Sequence, residues 1–62
     1  MPKKYRVHLY DTNGAYKMHL DFDKMRDCRK LVECFPKETR PTIMVWDERI
    51  ELYSFLYMKS TR

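Results

Sequence analysis

The sequence predicts an α+β fold, a small two-layer ββαββ unit with a four-stranded, mainly antiparallel sheet and one helix on one face. Three observations lead there. Residues 4–10 alternate apolar and polar side chains and are followed by Asn13-Gly14. Residues 25–35 switch to a helical period, and two later runs rich in β-branched and aromatic residues flank the polar Asp47-Glu48-Arg49.

The first strand, 4–10, puts Tyr5, Val7 and Leu9 on one side and Lys4, Arg6, His8 and Tyr10 on the other. Asn13-Gly14 holds the one glycine of the chain, and a two-residue type I′ turn needs positive φ at both central positions. Such a turn pairs Thr12 with Ala15 and starts a second strand at 15–22. Carried along, the register sets Leu9 against Met18, Val7 against Leu20 and Tyr5 against Phe22. The other face then pairs Arg6 with Asp21, His8 with His19 and Tyr10 with Lys17, while a four-residue turn would keep the same faces with shifted partners.

A helix is predicted over 23–35, because Met25, Cys28, Leu31, Val32 and Phe35 fall in a stripe roughly 120° wide, with Arg26, Arg29, Lys30 and Glu33 opposite. Asp23 suits the N-cap, where a carboxylate accepts from free first-turn amides. Pro36 ends the helix, and 37–40 forms a polar loop. Strands at 42–46 and 50–58 make a second hairpin with two apolar faces. Ile43, Val45, Ile50, Leu52, Leu56 and Met58 form an aliphatic side. Met44, Trp46, Tyr53, Phe55 and Tyr57 form an aromatic one. These patterns leave the strand order open.

Sixty-two residues with 44% hydrophobic and 15% aromatic content make one small folded domain, too apolar to stay disordered. A chain of this size buries only about 60% of its unfolded surface, so it gains from a partner or a second copy. No stretch approaches the roughly 20 apolar residues that span a bilayer, and no apolar leader follows Lys3-Lys4, so a cytoplasmic protein without membrane contact is expected. Cys28 and Cys34 on one helix are separated by about 9 Å of rise, too far for a disulfide, which needs Cα atoms within about 7 Å. Free thiols agree with a reducing compartment.

The same spacing argues against a zinc site built from His8, His19, Cys28 and Cys34, since the thiols are six apart and the histidines lie on the face away from the helix stripe. Cys28 should be buried and inert, and one glycine allows no phosphate-binding loop. Neither an enzyme nor a cofactor is expected.

The formal charge of +4 comes from residues 1–30, with eight Lys or Arg against four Asp, whereas residues 31–62 carry five charges of each sign. A helix of about 13 residues is roughly 20 Å long and covers one sheet face only. The aromatic face, Met44, Trp46, Tyr53, Phe55 and Tyr57, then stays outside as an interaction surface, with Arg49 and Glu51 as rim charges that set orientation. These features predict a non-catalytic protein-binding regulator or inhibitor; short chains without site chemistry include the host-directed small proteins that phages and mobile elements encode, a class that no motif in this sequence marks. Burial of the same face in a homodimer is compatible with that reading. The alternative is a nucleic-acid-binding module in which Lys4, Arg6, His8 and Lys17 hold phosphates beside the aromatic residues.

Overall fold

The computed structural model describes residues 2–59. The elements are β1 (Tyr5–Tyr10), β2 (Tyr16–Phe22), α1 (Met25–Cys34), β3 (Thr42–Asp47) and β4 (Leu52–Met58), with a short 3-10 turn at Lys37–Thr39 before β3. The sheet order is β2-β1-β3-β4 and every neighbouring pair is antiparallel. This is the ββαββ α+β fold that the sequence predicts, with the strand order now fixed. Because β1 lies between β2 and β3, α1 acts as the crossover that carries the chain past β1.

Val7 and Leu9 from β1, Ile43 from β3, and Cys28 and Val32 from α1 form the buried core, and Tyr5, Phe22, Met25, Leu31 and Phe35 pack around it. The whole predicted helix stripe is therefore used. α1 lies across β1 and β2. At each end the helix is shorter than predicted. Lys24 takes the N-cap position in place of Asp23, with no side-chain hydrogen bond, because β2 runs on to Phe22 and leaves Asp23 to the bend.

The first hairpin reaches the predicted register by another route. Asp11 O accepts from Gly14 N at 3.0 Å and Asp11 N donates to Ala15 O at 2.9 Å. The Asp11 carboxylate accepts from Asn13 N and Ala15 N, both at 2.9 Å. Thr12, Asn13 and Gly14 thus form a three-residue loop closed by Gly14 at φ +87°. The carboxylate satisfies two loop amides, which a type I′ Asn-Gly turn would not need. Tyr10 then pairs with Tyr16, a bulge absorbs Lys17, and Leu9–Met18 through Tyr5–Phe22 pair as predicted. The predicted Tyr10–Lys17 pair is replaced.

The second hairpin differs more. The Asp47 carboxylate accepts from Arg49 N at 2.9 Å and starts a turn that runs to Glu51, which is left-handed at φ +54°. Ile50 therefore belongs to the loop, and β4 begins at Leu52 instead of residue 50. A second bulge lies farther along, since Met44 pairs with Phe55 but Ile43 pairs with Tyr57. Leu56 is the extra residue, and the alternation of faces inverts beyond it. Tyr57 is thereby moved from the predicted outer face to the helix side, opposite Ile43, and Met58 moves to the outer face, opposite Thr42.

One long-range cap ties the second hairpin to the helix. The last turn of α1 has no basic residue of its own. Lys59, just past β4, donates from Nζ to Val32 O at 3.2 Å and Phe35 O at 3.0 Å, while its backbone N donates to Pro41 O at 3.0 Å. A cation at the negative end of the helix satisfies free carbonyls and complements the dipole.

Core and surface substitutions should separate cleanly in urea unfolding. Leu9→Ala, at a position 2% exposed, should lose about 2–5 kcal/mol, enough to unfold a chain this small, whereas Ile50→Ala, in the loop at 56% exposure, should stay within about 0.5 kcal/mol of wild type. Lys59→Met should cost about 1 kcal/mol through the lost helix cap.

Candidate functional site

The outer face of the sheet, away from α1, is built on a line of side chains from β2 to β4. Arg6 donates to Asp21 through Nε at 2.8 Å and through an Nη at 3.2 Å, the two-point geometry that a guanidinium and a carboxylate favour. The same guanidinium lies 4.2 Å from the centre of the Tyr53 ring. Tyr53 meets Trp46 edge to face, with centroids 5.1 Å apart, and its hydroxyl donates to Lys3 O at 2.6 Å. Asp21, Arg6, Tyr53 and Trp46 therefore hold one another in place across all four strands. Cross-strand pairing fixes their positions, because Arg6 sits beside Met44, and Met44 beside Phe55.

Of the predicted aromatic set, Met44, Trp46 and Tyr53 are half-buried in this line, and Phe55 stands clear at 64% exposure. Arg49 and Glu51 lie at the exposed tip of the second hairpin, where Arg49 Nε approaches Asp47 at 3.5 Å. Tyr57 faces the helix side. Met58 takes a place on the outer face that the sequence pattern did not assign to it. It lines an open hollow of about 380 Å³ with Tyr10, Thr42, Met44, Phe55 and Arg40. The only signal that could have found it is a bulge within β4, and no glycine or proline marks one.

The basic residues are spread along the first hairpin. Arg6 is occupied by Asp21 and Tyr53. Lys4 lies near the Tyr5 ring at one end of β1, 5.5 Å from its centroid, and Lys17 is the bulged residue at the far end of the first hairpin. Between them, burial and the nearby His19 and Arg6 push the His8 pKa below its ordinary value, which favours its neutral form. His8 instead joins an aromatic group: it packs against Tyr16 at 5.6 Å and His19 at 6.1 Å, Tyr16 also meets Tyr10, and the Tyr16 hydroxyl hydrogen-bonds His19 Nδ1. Tyr16 enters this group because Lys17 bulges out.

Cys28 is buried and Cys34 exposed, and both are free thiols; burial pushes the Cys28 pKa up. His8 and His19 lie on the outer face, whereas Cys28 is in the core beneath α1, so the four metal-ligand types are not brought together. Among the described residues no group of three His, Cys, Asp or Glu side chains is placed to hold a metal ion. No described helix is long and apolar enough to cross a membrane. Comparison with protein-family models, with curated proteins and with solved structures finds no match.

The outer face carries a readable pH dependence. The Arg6 hydrogen bonds hold the Asp21 carboxyl below its ordinary value of 3.8, and His8 is held below 6.5. Both groups bind protons more weakly folded than unfolded, so their contribution is complete above the unfolded values and is lost as pH falls. Stability from urea titrations should first decline below about pH 6.5 and again below about pH 3.8. His8→Gln should remove the first decline, and Asp21→Asn should flatten the second.

Proposed function

We propose that this chain is a non-catalytic protein-binding regulator or inhibitor that docks a protein partner on the outer face of its sheet, with Phe55 as the anchor. The observation that carries the reading is the exposure of Phe55 beside a locked Trp46–Tyr53–Arg6 stack. An aromatic side chain on a rigid floor loses little conformational freedom when a partner covers it, and such residues dominate interface energies. Met44 and Met58 extend the apolar area around the anchor, and methionine adapts readily to a partner's shape. Arg49 and Glu51 at the tip supply one charge of each sign for orientation. The action expected of such a face is steric: the bound chain occludes or clamps the partner's surface.

Arg6 distinguishes this reading from nucleic-acid binding. The Arg6 charge is matched by its two-point pair with Asp21 and its face lies on the Tyr53 ring, so Arg6 itself adds little net charge for a polynucleotide. Binding that depends on phosphates falls steeply with salt, and binding through an aromatic anchor does not.

Immobilised protein should retain a partner from lysate that survives nuclease treatment and a rise from low to moderate salt. Phe55→Ala should weaken that partner's binding by about 2 kcal/mol, about thirtyfold in Kd by titration calorimetry, with the helical circular dichroism unchanged. Retained affinity in this variant would remove Phe55 as the anchor, and nuclease-sensitive, steeply salt-dependent binding would favour the nucleic-acid alternative.

A further inference from the structure

The strand order leaves two edges, β2 and β4, and they are treated differently. Both edge strands carry a bulge, but β2 also carries Lys17 and Asp21, the kind of charged side chain that discourages strand addition. β4, Leu-Tyr-Ser-Phe-Leu-Tyr-Met, has no charge and no proline, and Leu52 to Phe55 run regularly before its bulge. Leu52, Phe55, Leu56, Tyr57 and Met58 are each 44–64% exposed. They lie on both faces of the edge. On the helix side an open groove of about 340 Å³ runs between α1 and β4, walled by Val32, Leu56 and Tyr57.

We infer that β4 pairs antiparallel with β4 of a second copy, joining the two sheets into one of eight strands. Three observations select a copy of this chain as the occupant. With a full aromatic side chain at about 150–250 Å², the five exposed residues offer roughly 500 Å² per copy, so a symmetric pair reaches the roughly 1,000 Å² at which a specific interface becomes stable. The charge is also placed for it, because the surplus of +4 lies in residues 1–30, which make β1, β2 and most of α1, whereas residues 31–62 are neutral overall. Two copies meeting edge to edge at β4 hold their excess charge as far apart as the sheet allows. Finally, a two-fold axis at Ser54 is self-complementary. It sets Tyr53 opposite Phe55 of the second copy and Leu52 opposite Leu56, with like faces aligned. The outer faces then lie side by side, and Phe55 and Met58 belong to both surfaces, so the second copy and a client compete for them.

Sedimentation equilibrium from micromolar to millimolar concentration tests it. The mass should rise from 7.7 kDa to about twice that value, and β4 amides should exchange more slowly as the dimer forms. Raising salt should tighten the dimer by screening the repulsion of two positive chains. Leu56→Lys, on the helix side and outside the docking face, should weaken dimerisation more than tenfold. Leu52→Lys gives the same test if Leu56→Lys loses its helical signal. Tyr16→Lys on β2 should leave the mass doubled. A mass of 7.7 kDa up to millimolar concentration overturns the inference, and so does a dimer lost in Tyr16→Lys but kept in both β4 variants. A β4 that instead takes up a strand of another protein would leave the free chain monomeric, the first of these outcomes.

Discussion

One helix cannot cover four strands. With its side chains an α-helix is about 10–12 Å across, little more than two strand spacings of about 4.8 Å. α1 lies over β1 and β2, and the buried core is correspondingly confined to Val7, Leu9, Ile43, Cys28 and Val32. β4 lies two strands beyond the edge of that cover. Most of its large apolar residues have no helix above them, so Leu52, Phe55, Leu56, Tyr57 and Met58 are left exposed. The groove beside α1, the exposed Leu56 and Tyr57, and the open β4 edge all follow from that limit.

The outer face answers the same shortage differently. There is no second layer, so side chains cover one another within the plane of the sheet. Arg6 lies over Tyr53, Tyr53 leans on Trp46, and Asp21 holds Arg6 in place. A long side chain paired with a carboxylate can shield an aromatic ring while keeping its charge satisfied. The consequence is that the charge of Arg6, at the centre of the face, is matched within the protein. What remains unshielded is Phe55, because its neighbours in the Arg6–Met44–Phe55 row are taken up by the middle of the sheet. Self-cover therefore leaves one prominent anchor with a rigid support, a geometry suited to a protein partner.

Local patterns carried much of this in advance. The alternation in β1, the helical stripe and the two strand-rich runs were each legible because they report burial, and burial in a strand or helix has a fixed period. The faces of the first hairpin were legible for the same reason, but its register from Leu9–Met18 to Tyr5–Phe22 was less so, since a shift of two residues keeps the same faces with other partners. The bulges at Lys17 and Leu56 were not. A bulge breaks the period by one residue, and neither position carries a glycine or proline to mark it. The two faces expected of β4 from strict alternation failed beyond Leu56 on that account, which misplaced Tyr57 and concealed Met58.

The sequence by itself determined the elements, their order along the chain, the dry face of the first hairpin and the fact that aromatic side chains must outnumber the cover a single helix can give. These are consequences of near-neighbour chemistry and of length. Only the tertiary structure decided that β3 pairs with β1, that β4 becomes an edge, that Lys59 caps a helix more than twenty residues earlier, and that Arg6 lies over Tyr53. Those depend on which distant surfaces meet, and the free energy of such a meeting belongs to the pair, so it is written in neither segment alone.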